Sequence, residues 1–264
     1  MKNVLYYHLY LTDEPSIWSS VFLEQMKCME DSGLLDNLSE IRMTCITQLD
    51  ARNEYLRQLC ETYPSRFILE LIQNTYSSDK EMMGGLNTDR TITENYTYQK
   101  IYRDCSSEEM NVCYIHSKGI TSSFKISKDS MSQYKNYYHW RQYLNWGVLS
   151  KWKTCVNSLD THDVAGVNYY TSPSPHFSGN FWWTTSQYIR RLPDPSTLDW
   201  WRTLQKETNN QWLKYAPDRF RDEQWLCSLD DIKVFNVFDL PEVENPAANF
   251  LPSRRYANEV SSTN

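Results

Sequence analysis

The chain has 264 residues, of which 40% are hydrophobic and 23% are charged, and its formal net charge is −6. These are the values of a globular protein that is long enough for one large domain or two small ones. The acidic balance argues against a nucleic-acid partner bound through phosphate neutralisation. No apolar run approaches the roughly 18 residues that a membrane span requires.

The cysteines and the start of the chain indicate its compartment. There are seven cysteines, an odd number, and no two of them have the C-x-x-C spacing. Most of them lie in apolar periodic segments, where cysteine packs as a small hydrophobic residue. Residues 1–3 lead at once into a strand-like run, which is unlike a secretory signal. We therefore expect reduced thiols and a cytoplasmic location.

The first two thirds of the chain alternate between predicted strands and predicted helices. The run 4–11 (VLYYHLYL) is apolar enough for a strand that is buried on both faces. Thr12 or Asp13 then provides a helix cap, and Pro15 suits the first helical turn. Further strands are predicted at 40–49, 66–73, 112–115 and 164–170, and helices at 51–62, 88–105 and 130–159.

Beyond residue 170 the pattern changes. A turn cluster at 172–175 precedes the stretch 176–189, which is rich in aromatic and polar residues. A Trp-rich helix is predicted near 199–205, and a last strand at 233–238 closes the sheet. The remainder is rich in Pro, Asn and Ser, which is typical of a mobile tail or a linker.

Strand–helix alternation of this kind predicts an α/β fold, with a mostly parallel central sheet flanked by helices. We expect a folded domain over 1–240 and a C-terminal tail or linker over 241–264. Ligands of such sheets bind beyond the carboxyl ends of the strands. The sequence contains no G-x-G-x-x-G, no Walker A motif, no G-x-S-x-G and no zinc-ligand spacing. The candidate site therefore rests on less specific stretches.

The first of these stretches is the tip of the strand predicted at 112–115, where His116, Ser117 and Lys118 follow an apolar run. An ammonium at a strand end neutralises a diphosphate, and an imidazole ligates a metal or donates to an oxygen. The tip is therefore a candidate phosphate or metal site. On the local residues alone, an ordinary solvated turn is the alternative.

The second stretch is 176–183 (HFSGNFWW). Gly179 permits close backbone approach, Asn180 offers a donor and an acceptor, and Trp182 is among the rings that offer a stacking surface. The alternative is a buried aromatic strand pair.

The third stretch is 221–225 (RDEQW). The adjacent carboxylates of Asp222 and Glu223 suit binding of sugar hydroxyls, binding of a metal, or acid–base chemistry. The alternative is a solvated helix start that carries capping acids.

Two further acids follow predicted strands. Asp13 comes after the first strand and Asp79 after the third, so in a parallel sheet both lie on the same edge as His116. A single exposed Asp is ordinarily only solvated. Four polar loops that converge on one edge are a stronger indication of a site than any one of them.

Several segments resemble those of nucleotide-sugar-dependent glycosyltransferases of the GT-A type, among them the chlorella-virus enzymes that glycosylate the major capsid protein. The resemblance covers about 4–238. The segments are 6–26 (YYHLYLTDEPSIWSSVFLEQM), 114–121 (YIHSKGIT), 139–152 (HWRQYLNWGVLSKW), 176–183 (HFSGNFWW) and 219–226 (RFRDEQWL).

The resemblance implies a Rossmann-like sheet, a UDP-sugar donor, dependence on Mn²⁺ and a glycan or glycoprotein acceptor. It implies transfer with retention, with L-rhamnose as the leading sugar and a hexose as the alternative. For a virus-encoded protein it also implies capsid glycosylation and a location in the host cytoplasm.

The resemblance also implies roles for residues. Lys118 and the metal would balance the charge on the departing UDP, and Asp222 or Glu223 would face the reacting ring. The expected catalytic residues are Asp222, Glu223 and Asn180, and the expected nucleotide-sugar contacts are Thr12, Asp13, Asp79, His116, Lys118, Gly179 and Trp182.

One feature departs from the family pattern. Most GT-A enzymes hold their metal with Asp-x-Asp at the end of the fourth strand, where this chain has 116–118 (HSK). Either other acids hold the metal, with Asp79 as the candidate, or Lys118 does part of the metal's work. A carbohydrate- or nucleotide-binding module without turnover is the alternative function, and release of UDP from a UDP-sugar with manganese present distinguishes the two.

Overall fold

The structure of the protein is a computed structural model. It describes residues 1–12, 14–47, 50–63, 67–73, 94–120, 131–216, 220–238 and 256. The expectations for Asp13, for Asp79 in the loop 74–87, and for the tail 241–264 apart from Tyr256 lie outside these residues.

The strands fall close to the predicted ones in the first half of the chain and are shorter in the second. Their bounds are β1 (Lys2–Tyr10), β2 (Glu40–Thr47), β3 (Phe67–Gln73), β4 (Met110–His116), β5 (Val164–Gly166), β6 (Tyr169–Tyr170), β7 (His176–Phe177), β8 (Trp182–Thr185) and β9 (Val234–Asn236).

The helices of the first half follow these strands in alternation. They are α1 (Pro15–Asp31), α2 (Asp50–Glu61), α3 (Asn95–Ser107), α4 (Met131–Asn145) and α5 (Trp152–Ser158), with a short 3₁₀ turn at Leu35–Asn37. The second half adds α6 (Ser186–Ile189), α7 (Asp199–Glu207), α8 (Gln211–Lys214) and α9 (Arg221–Gln224). None of the described helices combines the length and the apolar character that crossing a bilayer requires.

The central sheet has seven strands in the order β3-β2-β1-β4-β8-β5-β9, and β6 pairs with β7 in a separate ribbon. The strands β1 to β4 are parallel to one another, and β9 is parallel to β5. Only β8 runs against its neighbours β4 and β5. The sequence prediction of a mostly parallel α/β sheet flanked by helices is confirmed.

The strand predicted at 164–170 is wrong in its extent. It stops at Gly166, and β6 leaves the central sheet to pair with β7. The described residues 167–181 contain no helix that could carry the chain back for a parallel crossover, which normally needs one. The chain therefore returns in β8 as an antiparallel strand.

The start of α1 differs from the predicted cap. Its N-cap residue is Glu14, which makes no side-chain cap bond, and Pro15 is the first helical residue as expected. The hydroxyl of Thr12 donates to the carbonyl oxygen of Glu14 over 2.8 Å, so Thr12 closes the turn before the helix. One face of α1 then packs into the core through Trp18 and Phe22, among other residues.

The long helix predicted at 130–159 is interrupted. A π-helical turn at Trp146–Ser150 separates α4 from α5. The indole N–H of Trp183 donates to the carbonyl oxygen of Val148 within this turn over 2.9 Å. Gly147 lies so close to β5 that an added Cβ would stand 2.1 Å from a methyl carbon of Val167. Close packing against the sheet therefore accompanies the change in helical pitch.

All seven cysteines are free thiols. Burial raises the pKa of most of them, as it does for Cys60 and Cys105, each to about 12. The expectation that most cysteines pack in the core is confirmed, and the reduced state and a cytoplasmic location stay predictions.

The amino-terminal end of the sheet is held by a buried ion cluster around Arg42. Its guanidinium contacts Glu40 at 3.1 Å, Asp104 at 2.7 Å and Glu108 at 2.8 Å. Hydrogen bonds from Arg42 and then Lys2 lower the pKa of Glu108 to about 2. These charges are paired and lie at the opposite end of the sheet from the polar strand tip, so we assign them to stability.

Candidate functional site at the carboxyl edge of the sheet

The carboxyl ends of β1 and β4 meet at the centre of the sheet. His8 of β1 is paired in register with His116, the last residue of β4. The backbone N–H of Ser117 donates to the His8 carbonyl oxygen over 3.1 Å, and the Ser117 hydroxyl accepts from the Tyr10 N–H over 3.2 Å. Gly119, at a φ of 78°, then turns the chain away. The polar tip that the sequence predicts is therefore fixed to the neighbouring strand.

Two helices anchor the carbonyl groups of this tip. Gln25 on α1 donates to the carbonyl oxygen of His116 over 3.2 Å. Arg141 on α4 donates to the carbonyl oxygen of Lys118 over 3.0 Å, while its other nitrogens bind Glu24 in a bidentate pair. Because two helices donate hydrogen bonds to its backbone carbonyl groups, this tip is not an ordinary solvated turn.

A glutamate that the sequence analysis did not select lies at the centre of the site. Glu94 directly precedes α3, and its Oε2 accepts from the Tyr114 hydroxyl over 2.8 Å, from the Asn180 amide over 2.5 Å and from the Tyr98 hydroxyl over 3.3 Å. We call Glu94, Tyr98, Tyr114, His116 and Asn180 the Glu94 cluster. It joins α3, β4 and the loop before β8 at one edge of the sheet.

Asn180 is the hub of this cluster. Its amide nitrogen donates to Glu94 and to the Tyr98 hydroxyl, and its amide oxygen accepts from the Trp182 indole N–H over 3.1 Å. The residue adopts a left-handed backbone with a φ of 61°, which Asn tolerates better than most residues. All of its side-chain atoms are used within the protein, so its role is to orient Glu94.

Trp182 does not present a ring to a ligand. Its side chain is fully buried, and its ring stacks on Tyr114 at 5.1 Å and on Tyr98 at 6.3 Å between centroids. Strand β8 lies between β4 and β5, so both of its edges are paired, and the burial of Trp182 shows that the face it lies on is covered too. Trp182 contributes to the site through its bond to Asn180.

Gly179 allows a close approach, as expected, but to the protein itself. An added Cβ would stand 2.6 Å from a methyl carbon of Leu144 and 3.0 Å from the Trp140 indole nitrogen. Its φ of 94° also favours glycine. Its carbonyl oxygen lies 3.0 Å from Nε2 of His116.

This contact defines the state of His116. A carbonyl oxygen only accepts, so Nε2 carries the proton and donates it, and in the neutral ring Nδ1 presents a lone pair. Burial, followed by the charge of Lys118, lowers the pKa of His116 to about 3, and the ring is neutral at physiological pH. Nδ1 lies 3.7 Å from Oε1 of Glu94, which is too long for a hydrogen bond.

His8 lies on the same edge. Its Nδ1 is 2.9 Å from the Thr97 hydroxyl on α3. Burial lowers the pKa of His8 to about 4, and the neighbouring His116 adds to the effect. The site therefore contains two neutral imidazoles beside one carboxylate at physiological pH.

Lys118 brings a positive charge to the edge. Its ammonium lies 4.0 Å from the centroid of the Trp140 ring, and among the residues that the structure describes no carboxylate is within 4.0 Å of it. Burial and then the charge of Lys118 lower the pKa of His116, so the two side chains share one environment. An anionic ligand at this edge would meet a cation with no carboxylate of the described residues within 4.0 Å.

The acids of the third stretch belong to the same region. Asp222 is 5% exposed and its Oδ1 lies 3.3 Å from Nε of Arg221, which is 3% exposed. The charge of Asp222 raises the pKa of Tyr98, and the charge of Glu223 acts to raise that of His116. Asp222 is therefore buried beside the Glu94 cluster rather than on a solvated helix start, and Glu223 is half-buried.

The structure thus places most of the predicted residues together. His116, Lys118, Gly179 and Asn180 converge, with Asp222 and Glu223 beside them. Thr12 is fully buried and its hydroxyl is used in the local turn. Within the described part of the chain, no three His, Cys, Asp or Glu side chains are grouped so as to hold a metal ion.

The fold is a mixed α/β fold of Rossmann-like type with a polar cluster at the carboxyl edge of its sheet. The chain belongs to the family described as Domain of unknown function (DUF8361), whose model matches residues 6–245.

No curated protein matches the chain. Among solved structures, the 4-diphosphocytidyl-2C-methyl-D-erythritol synthase from Anaerococcus prevotii DSM 20548 is similar over 89% of this chain and 86% of its own, with 9% sequence identity and a TM-score of 0.36. That score is too low for the likeness to support an argument about function.

Proposed function

We propose that the protein is a glycosyltransferase that takes a sugar from a UDP-sugar bound at the carboxyl edge of β1 and β4. The observation that carries the proposal is the convergence, at this edge, of an ammonium that has no carboxylate of the described residues within 4.0 Å, a fixed carboxylate and two further acids. Lys118 is the ammonium, Glu94 is the fixed carboxylate, and Asp222 and Glu223 are the acids. The resemblance of the sequence to GT-A glycosyltransferases supports the same assignment.

Departure of UDP requires positive charge near the diphosphate while the sugar becomes cationic. Lys118 is placed to supply that charge, and Gln25 and Arg141 hold its segment in position. Asn180 fixes the carboxylate of Glu94, and Asp222 or Glu223 would face the reacting ring. Thr12 and Asp13 remain proposed nucleotide contacts.

The proposal includes a bound Mn²⁺ ion, but none of the steps described above depends on it. When bound, a divalent cation would balance the charge of the diphosphate. The described residues offer Glu94 and His116 as two neighbouring ligand types and no third one, and Asp79 lies outside them. These residues do not make up a complete manganese site, so no step is assigned to the metal.

The finer parts of the proposal rest on the resemblance alone. They are L-rhamnose or another hexose as the sugar, retention of configuration, and a glycan acceptor on a viral capsid protein. Binding of carbohydrate or nucleotide without turnover is the competing function, because the ammonium of Lys118 and the carboxylate of Glu94 would serve a binding site equally well.

A thermal-shift experiment tests the binding step. A ligand that binds only the native state raises the melting temperature. UDP-sugars, with and without Mn²⁺, should raise it, while NAD should not, because the dinucleotide-binding glycine motif is missing. Equal stabilisation by NAD would contradict the proposal.

A further inference from the structure

Only one of the two carboxylate oxygens of Glu94 accepts hydrogen bonds from the described residues. Its Oε2 accepts from three donors, on Tyr98, Tyr114 and Asn180. Its Oε1 has no hydrogen-bond partner among the described residues, and Nδ1 of His116 lies 3.7 Å from it. The Glu94 side chain is 23% exposed, so this oxygen can be reached from outside.

Likewise, only one of the two ring nitrogens of His116 makes a hydrogen bond with the described residues. Its Nε2–H donates to the Gly179 carbonyl oxygen over 3.0 Å, and its Nδ1 lone pair faces Oε1 of Glu94. The opposite tautomer would set a lone pair of Nε2 against the lone pairs of the carbonyl oxygen. Two acceptors thus face the same space with no hydrogen between them, an arrangement that needs donors from elsewhere.

We propose that Oε1 of Glu94 and Nδ1 of His116 bind two adjacent hydroxyl groups, a vicinal diol, of the nucleotide-sugar ligand. Neighbouring sugar hydroxyls lie side by side, so each can donate to one of two acceptors that are 3.7 Å apart. Bonds from hydroxyl donors are about 2.7–2.8 Å long, which this spacing permits. The proposal rests on the proposed function, because that function supplies the ligand.

Two sources of such a diol exist in a UDP-sugar, the transferred sugar and the ribose. Both diols offer the same two hydroxyl donors, so Glu94 and His116 would bind either of them in the same way. The fixed position of Glu94 favours a diol over a single hydroxyl, since one hydroxyl has one hydrogen and leaves one of the two acceptors unsatisfied.

Glu94→Gln is the sharpest variant. Its amide oxygen can still accept from Tyr114 and Asn180, while its NH₂ group takes the place of Oε1 and offers a donor where the diol needs an acceptor. The variant should therefore fold about as stably as the wild type, but with one of the two acceptors of the diol site lost. Glu207→Gln on the exposed face of α7 is the matched control.

Dissociation constants measured by calorimetry test the proposal. The ligands are UDP, 2′-deoxy-UDP, a panel of UDP-hexoses and UDP-L-rhamnose. Loss of a hydrogen bond to a charged acceptor should weaken binding roughly 10- to 100-fold in Glu94→Gln. If the sugar supplies the diol, only the preference for UDP-sugar over UDP disappears. If the ribose supplies it, UDP and UDP-sugar weaken together, and wild type binds 2′-deoxy-UDP as weakly as the variant binds UDP.

Unchanged binding of every ligand by Glu94→Gln would overturn the diol site and leave the proposed function standing. Failure of the wild type to bind any of these nucleotides would overturn the proposed function and the diol site with it. The nitrogen-15 NMR signals of His116 give a test on the unaltered protein: Nε2 should be protonated and Nδ1 bare. A proton on Nδ1, or broadening of these signals by Mn²⁺ without nucleotide, would also overturn the proposal.

Discussion

The side-chain amide of Asn180 donates to Oε2 of Glu94 over 2.5 Å, and it joins the loop before β8 to the start of α3. These residues are 86 positions apart in the chain. The bond sets the direction of the Glu94 carboxylate, and through it the geometry of the whole edge.

The first prediction concerns Asn180→Ala. The change leaves the Trp182 indole N–H buried without its acceptor, and each such loss costs about 1–3 kcal/mol. It also forces Ala into a left-handed backbone. Asn168→Ala is a matched control, because Asn168 has a φ of 65° but only one side-chain hydrogen bond within the described residues, to the Ser178 carbonyl oxygen. Urea denaturation should show a larger loss of unfolding free energy for Asn180→Ala, and equal losses would contradict the hub role.

The second prediction concerns Lys118→Ala. The ammonium of Lys118 stacks on Trp140, a contact worth about 0.5–1 kcal/mol near a surface, so stability should fall little. The affinity for UDP-sugar should fall much more. Because the charge of Lys118 lowers the pKa of His116, that pKa should rise in the variant. Calorimetry and an NMR titration measure the two effects, and unchanged affinity would return Lys118 to a structural role.

The third prediction separates Asp222 from Glu223. Asp222→Asn removes the carboxylate that faces the buried Arg221 guanidinium, and breaking a buried ion pair costs about 3–5 kcal/mol. Glu223→Gln changes a half-buried residue and should cost far less. Chemical denaturation of both variants measures the difference. Equal stability would show that the Arg221 contact contributes little.

The fourth prediction concerns pH. The pKa values of His8 and His116 are lowered to about 4 and about 3, so the unfolded chain binds more protons than the folded one as pH falls below 6.5. Stability is therefore complete above pH 6.5 and falls as the pH approaches 4, by at most about 1.4 kcal/mol per pH unit for each ring. The Glu108 carboxylate acts only at lower pH, from 4.5 towards 2.

Denaturation curves between pH 7 and pH 4.5 check this prediction. His116→Gln should show a shallower loss of stability than the wild type across this range. His162→Gln, which lies outside the Glu94 cluster, is the control and should follow the wild type. A parallel response of all three proteins would show that His116 is not buried as a neutral ring.

Much of the fold could be predicted from the sequence because the periodic signals are local. The apolar runs that form β1 to β4 and the apolar face of α1 determine a parallel half-sheet without long-range information. The antiparallel strand β8 could not be predicted, because its direction depends on how the chain returns after β5. The same lack of context made Trp182 resemble a stacking surface, since only the tertiary packing shows that its ring is buried against Tyr98 and Tyr114.

The candidate site was predicted in part. His116 and Lys118 follow an apolar strand, so their place at the sheet edge is visible in the sequence. The sequence analysis missed Glu94, because an acid at the start of a helix ordinarily complements the helix dipole and does not indicate a functional site. The signal that could have found it is topological: α3 precedes β4 and runs back along it, so the start of α3 lies beside the end of β4.

The measurement that tests the account most directly is release of UDP from the panel of UDP-sugars, with Mn²⁺ and with and without glycan acceptors. We predict release by the wild type and by Glu207→Gln, and a rate lower by about 100- to 10,000-fold in Glu223→Gln or in folded Asp222→Asn, as expected for lost acid–base help. Release at the wild-type rate by both variants would remove these acids from the chemistry. Binding of UDP-sugars by the wild type with no release of UDP from any of them would contradict a glycosyltransferase and indicate a binding module.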